Sequence, residues 1–129
     1  MRKNGALVTN SVYLMPHEQA TVDFLLRQGF KIELIPRSRI PGVHTADILL
    51  NETPYEIKSP LGNKKWTIAR NLKRARRQSR NIVLDLRRIK RNENLCIREI
   101  QNYLNSSHII EKILIITKER SLIDMRKKG

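Results

Sequence analysis

Apolar positions along the 129-residue chain fall into segments with two different periods. Residues 1–15 show neither period and are expected to form an extended N-terminal arm. Pro16 followed by His17-Glu18-Gln19-Ala20 marks a helix start, with proline in the first turn. Ala20, Val22, Phe24, Leu25 and Leu26 supply the apolar side of this helix, and Gly29 ends it. Phe30–Ile35 alternates and is closed by Pro36, which predicts a strand. Residues 36–44 are a basic loop. Ala46–Leu50 and Tyr55–Lys58 read as two strands joined by a tight turn at Asn51-Glu52-Thr53-Pro54.

After a loop at residues 59–63 the period changes to that of a helix. The spacing of Ile68, Leu72, Ala75 and Ser79 predicts a helix from about Lys65 to Arg80, with these four facing inward. Ile82–Leu86 is a mostly apolar, buried-type strand. Glu93–Leu104 is an amphipathic helix with Ile97, Ile100 and Leu104 inward, and Ile109–Thr117 holds a second buried strand. Residues 119–129 are polar and basic, and a frayed tail is expected there. The order α-β-β-β-α-β-α-β predicts an α/β fold, with one mixed central sheet flanked by helices, in a single domain over 1–129.

Composition narrows the function class. With 40% hydrophobic residues the chain is not a disordered basic tail. The single cysteine, Cys96, excludes a disulfide framework and a cysteine-rich zinc site, and its helix setting suits a small core residue. No run approaches the roughly 18 apolar residues of a membrane span, so no membrane partner is expected. Met1-Arg2-Lys3 is not followed by an apolar stretch, so no signal peptide is expected either.

The net charge is +14, and it is concentrated. Residues 64–91 hold twelve of the 26 basic residues and only one of the 12 acids, Asp85. A local excess of that size favours a polyanion partner, through release of counterions from phosphates. Arg70, Lys73, Arg74 and Arg77 form the outer stripe of the basic helix, and Lys64 and Lys65 lie ahead of it. Arg37 and Arg39, with Ser38, lie in the basic loop and are expected to grip phosphates as well. The alternative is a solvated helix face, which an ordinary basic run usually is.

Asp47 and Glu56 stand apart from this charge. A hairpin of this length places Asp47 beside Glu56, and side chains two apart on a strand put Glu56 and Lys58 on one face. Two adjacent carboxylates are costly in an apolar site unless a cation neutralises them. They suit a hard divalent ion, Mg²⁺ or Mn²⁺ ahead of Zn²⁺, with Lys58 placed to offset charge developing on a phosphate. The alternative is an exposed ion pair between Glu56 and Lys58.

Asp47-x8-Glu56-x-Lys58, preceded by a helix and followed by strand and helix, resembles the core of the PD-(D/E)XK nuclease superfamily. Ala46 stands where that pattern often carries proline. The sequence is more closely similar to the C-terminal nuclease domains of CdiA-type contact-dependent growth inhibition toxins. Glu18…Phe24-Leu25-Leu26-x-x-Gly29, Thr45-Ala46-Asp47, Tyr55-Glu56-Ile57-Lys58-Ser59-Pro60 and Arg74-Ala75-x-x-Gln78-x-x-x-Ile82-Val83-Leu84-Asp85-Leu86 carry that similarity, over roughly residues 16–90.

The resemblance implies a restriction-endonuclease-like core and a metal-dependent phosphodiesterase. Its substrate is tRNA in the best-matching toxins and DNA in other relatives. It assigns Asp47 and Glu56 as metal ligands, Lys58 as the catalytic lysine, Glu18 as an acid from the first helix, and Gln78 as a polar residue following the E-x-K strand. It also implies a neutralising immunity protein and a cytoplasmic site of action for the C-terminal part of a secreted toxin. Both a monomer and a homodimer fit it.

Other residues stay open. Glu18 shares a helical face with Val22 and Leu25, but a capping role in the first turn is equally compatible. His44, three residues before Asp47, would allow a metal-free ribonuclease with Lys58. Trp66, at the head of the basic helix, is either a base-stacking platform or a core aromatic. Asn71 reads as a surface residue. A non-catalytic nucleic-acid-binding domain is the reading to be tested against the nuclease.

Overall fold

The computed structural model describes residues 5–127. They form one seven-stranded mixed sheet in the spatial order β1-β2-β3-β4-β5-β6-β7, so every strand pairs with its neighbour in sequence. The strands are β1 (Leu7–Val8), β2 (Ile32–Leu34), β3 (Ile48–Leu50), β4 (Thr53–Lys58), β5 (Asn81–Asp85), β6 (Lys112–Ile116) and β7 (Leu122–Arg126). Helix α1 (Pro16–Arg27) precedes β2, α2 (Thr67–Ala75) links β4 to β5, and α3 (Glu93–Ser106) links β5 to β6. The parallel pairs are β1–β2, β4–β5 and β5–β6, where a helix intervenes; the other pairs are antiparallel. The mixed α/β architecture is the one expected.

Alternation along the central strands divides the core in two. Ile82 and Leu84 of β5, with Ile113 and Ile115 of β6, pack under Ile68, Leu72 and Ala75 of α2 and Cys96, Ile100 and Leu104 of α3. Val83, Leu114 and Ile116 face the other way, against Val22, Phe24 and Leu25 of α1. The sheet thus carries α1 on one face and α2 with α3 on the other.

Three expectations are corrected. Within the supposed N-terminal arm, Leu7 and Val8 pair in parallel with Ile32 and Glu33. Gly5 is held there by an N–H bond to the Leu26 carbonyl, and a side chain at that position would collide with the Phe30 carbonyl. Within the supposed tail, β7 pairs antiparallel with β6 across five residues and buries Met125. Arms and tails gain order when their backbone groups find a sheet edge. The third correction is to the basic helix, which ends at Ala75 rather than Arg80. Ser79 turns away from the predicted inner stripe, and its hydroxyl donates to the Pro54 carbonyl at 3.0 Å.

A buried polar clamp fixes α1 on the sheet. Asp85 is 2% exposed at the end of β5. Its carboxylate accepts from the Thr21 hydroxyl at 2.6 Å and from the Arg87 guanidinium at 2.8 Å. Arg87 also donates to the Ala20 carbonyl and lies over the Phe24 ring, 5.1 Å from its centroid. Burial alone would push the Asp85 carboxyl up, but the hydrogen bonds from Arg87 and Thr21 outweigh it and hold the group below its ordinary 3.8. Thr21→Val keeps the volume and removes one donor to a buried charge. It is expected to cost about 1–3 kcal/mol, read as a shift in the urea midpoint at unchanged slope. An unchanged midpoint would show that Arg87 alone anchors the helix.

Candidate functional site

The two-residue β3–β4 turn sets the site. Asn51 and Glu52 both have positive φ, 46° and 74°, as a type I′ hairpin requires. The Asn51 side chain accepts from the Lys31 N–H at 2.9 Å, which supports this conformation. Such a turn leaves no slack in the register. Leu50 pairs with Thr53 and Ile48 with Tyr55, so the next positions along, Asp47 and Glu56, come together.

Asp47 sits just before β3. Its backbone carbonyl accepts from the Ile35 N–H at 2.9 Å, and its carboxylate Oδ2 accepts from the Ile57 N–H, also at 2.9 Å. The side chain therefore bridges to β4 and is fixed at both ends. Glu56 is 5% exposed. Lys58 Nζ lies 3.6 Å from Glu56 Oε2, on the same face, while Ile57 packs into the α1 side of the core. Glu56 Oε1 is buried with no hydrogen-bond partner.

That environment changes the chemistry of Glu56. Burial is the largest influence, followed by the proximity of the Asp47 carboxylate; Lys58 opposes them. The result is a carboxyl pushed from 4.5 up to about 8. With no cation present, Glu56 holds its proton at neutral pH. Nothing in the sheet requires an acid here, because an apolar residue would pack without that cost.

The pair opens into a cleft with two lobes. One, of about 270 Å³, is lined by Arg37, His44, Asp47, Glu56, Lys58 and Gln78 among others. The second, of about 200 Å³, shares Arg37, Asp47, Glu56 and Lys58 and adds His17, Glu18, Ser59 and Asn71. Three segments reach the cleft from outside the hairpin: the loop between β2 and β3, which brings Arg37 and His44, the start of α1, and α2 with the residues after it.

The other candidates distribute as follows. Glu18 lines the cleft, but its carboxylate accepts from the Met15 N–H at 2.9 Å and so closes the first turn of α1. Among the described residues no group of three or more His, Cys, Asp or Glu is arranged to hold a metal ion. Gln78 reaches the cleft from the turn after α2, with Oε1 buried and unpartnered. Arg37 lines both lobes, whereas Arg39 lines neither. Lys64, Lys65, Arg70, Lys73, Arg74 and Arg77 are exposed outside the cleft.

Asn71 was expected at the surface and instead borders the cleft, its amide donating to the Thr67 carbonyl at 2.8 Å. Its position beside the inward-facing Leu72 was the only signal for that. Ser59, not singled out in the sequence, lies beside Lys58 with its hydroxyl oxygen buried and unpartnered. Of the twelve cations between residues 64 and 91, Arg80, Arg87 and Arg91 engage Glu111, Asp85 and Glu99. Arg70, Lys73, Arg74 and Arg77 of the α2 stripe are exposed to solvent.

Residues 44–122, more than half of the chain, match the family described as the contact-dependent growth inhibition CdiA C-terminal domain. The chain belongs to this family. It is therefore a CdiA C-terminal toxin domain, and Asp47, Glu56, Lys58, Asn71 and Gln78 all fall within the matched region. Among solved structures, a CdiA-CT/CdiI toxin and immunity complex from Burkholderia pseudomallei has a similar fold. Its TM-score is 0.67 at 19% identity, over 95% of this chain and 99% of that one. No curated protein sequence matches the chain. No helix among the described residues of this CdiA C-terminal domain is long and apolar enough to cross a membrane.

Proposed function

We propose that this CdiA C-terminal toxin domain is a divalent-metal-dependent phosphodiesterase of the PD-(D/E)XK kind that cleaves structured RNA, with tRNA as its foremost substrate. The observation that carries this reading is the juxtaposition of half-buried Asp47 with buried Glu56 beside Lys58, in a polar cleft that exposed Arg37 also lines. The donor set fits a hard cation: two carboxylates, one with a buried unpartnered oxygen and a proton that a cation would displace. Two protein ligands leave the remaining positions to water and phosphate oxygens, the mode Mg²⁺ favours over a closed protein cage. When bound, such an ion lowers the pKa of water and offsets charge on the phosphate.

The chain's own groups do the positioning. The Ile57 N–H holds Asp47 in one orientation. Lys58, anchored beside Glu56, presents a fixed positive charge where the phosphate gathers negative charge in the transition state. Arg37 lines both lobes, where its guanidinium would meet a phosphate next to the scissile one. The stripe Arg70, Lys73, Arg74 and Arg77 reads backbone rather than base, so it supplies affinity and register. Glu18 serves α1 as a first-turn acid.

A toxin that cuts tRNA acts in the cytoplasm and must be restrained where it is made. The toxin–immunity pairing named for the structural neighbour supports an immunity protein as the partner of this domain too. The test is incubation of the purified protein with total tRNA, ribosomal RNA and plasmid DNA, each with Mg²⁺ and with a chelator. Cleavage of tRNA that the chelator abolishes is expected. Cleavage of plasmid alone would move the substrate to DNA, cleavage insensitive to chelation would move the chemistry to His44 and Lys58, and no cleavage of any substrate would overturn the nuclease reading.

A further inference from the structure

Trp66 is the single tryptophan of the chain, and half of it is exposed at 51% of its surface. The reading of it as a core aromatic is thereby corrected: it belongs to neither apolar cluster. An indole left in water at a fixed place is an unspent contact surface, the type of side chain that carries binding energy at interfaces. Its position decides which kind.

Trp66 is the residue that caps α2, and the Arg70 N–H already bonds to its carbonyl at 2.9 Å, so its side chain follows the helical screw. Residues four, seven and eight positions on share its face: Arg70, Lys73 and Arg74, all exposed. The indole therefore heads the cationic stripe in line with it, about 12 Å of helix from end to end.

Its footing is rigid. The Gly62 carbonyl accepts from the N–H groups of Lys90 and Arg91 at 2.9 and 3.2 Å, and Arg91 also donates to the Asn63 carbonyl. The loop that presents Trp66 is tied across to the segment after β5, and exposed Lys64, Lys65 and Lys90 surround that tie. An aromatic face framed by cations, with no acid in the stripe, matches a nucleotide, whose base stacks while its phosphates are neutralised.

We infer that Trp66 is a base-stacking platform for an unpaired nucleotide of the substrate, held at the head of the α2 cationic stripe at a distance from the scissile phosphate. The inference rests on the nucleic-acid reading above, and it goes beyond that reading by adding a contact to a base where all the others go to phosphate. It predicts a preference for RNA with a single-stranded loop or end over a continuous duplex, since stacking needs a base free of its own stack.

The test uses the full chain in chelator, so that nothing is cleaved. An unmodified single-stranded RNA 12-mer and a fully paired RNA of equal phosphate number are titrated, following tryptophan emission and, separately, retention of radiolabelled RNA on a filter. The single-stranded RNA is expected to quench the indole emission on binding, and the duplex to bind with much less quenching. Trp66→Ala is expected to weaken single-strand binding by about tenfold or more, the range that base–aromatic stacking supplies, with the salt dependence unchanged. Trp66→Phe restores most of it. Neutralising Arg70 and Lys73 instead flattens the salt dependence. RNA retained on the filter with the emission unchanged and Trp66→Ala neutral would overturn the inference while leaving the nuclease reading intact, and would leave the indole to a protein partner. No retention of either RNA would overturn both.

Discussion

Lys58→Ala is expected to reduce cleavage by about 10²–10³-fold, the usual consequence of removing one preorganised group that meets transition-state charge. It should leave RNA affinity in chelator nearly unchanged. The separation follows from where Lys58 sits. Its side chain is three-quarters buried in the cleft beside Glu56, and it is not part of the exposed cationic stripe of α2. Removing it should not unfold the domain, because Lys58 makes no contribution to either apolar cluster. It should, however, raise the Glu56 pKa further, since Lys58 is the one group that opposes the rise. Single-turnover cleavage at saturating Mg²⁺ reads the chemical step, and filter binding in chelator reads the affinity. A variant that cleaves at the wild-type rate would sink the catalytic lysine. One that loses binding in proportion to cleavage would make Lys58 another phosphate contact.

That such a site was visible in one sequence has a specific cause. Asp47 and Glu56 are nine apart around the shortest kind of hairpin, and with strand alternation this spacing fixes which side chains meet. The central strands were equally legible: Ile82-Val83-Leu84 and Ile113-Leu114-Ile115-Ile116 are apolar on both faces because helices cover both. The edge strands were not. Leu7 and Val8 remain exposed, and in β7 only Met125 is buried, so neither carries the burial signal that a sequence pattern depends on. What orders them is backbone pairing, which any residue but proline supplies. The helix boundary failed for a related reason. The stripe continued in sequence to Ser79, but the Ser79 hydroxyl found the Pro54 carbonyl, and the chain left the helix early enough for Gln78 to reach the cleft. Asn71 was hidden because a polar residue on a basic amphipathic helix looks alike on every solvated side; only the placement of α2 against β4 turns that side toward the acids.

Glu56→Gln is expected to stabilise the metal-free protein, and to do so more strongly as the pH rises. In the unfolded chain Glu56 ionises near 4.5; in the fold it keeps its proton to about 8. A group whose folded pKa is raised contributes stability that is fully present below 4.5 and is lost progressively up to about 8, after which the loss is constant. The Glu56 contribution to wild-type stability therefore falls as the pH rises through that window, a pKa separation of one unit corresponding to about 1.4 kcal/mol. Glutamine keeps the shape of the side chain and cannot ionise, so the slope disappears and the variant is the more stable protein at pH 8. A cation held between Asp47 and Glu56 performs the same service for the wild type, since it replaces the proton and satisfies the buried oxygen. Mg²⁺ should therefore raise the wild-type urea midpoint at pH 8 and leave that of Glu56→Gln nearly unmoved, although that variant begins higher. Urea midpoints from pH 4.5 to 8, with and without Mg²⁺, measure both effects on folding alone and need no substrate. If the variant retains the wild-type slope, another group carries the titration. If Mg²⁺ stabilises both proteins equally, the acid pair does not hold the ion, and the metal-dependent reading of the cleft loses its ligands.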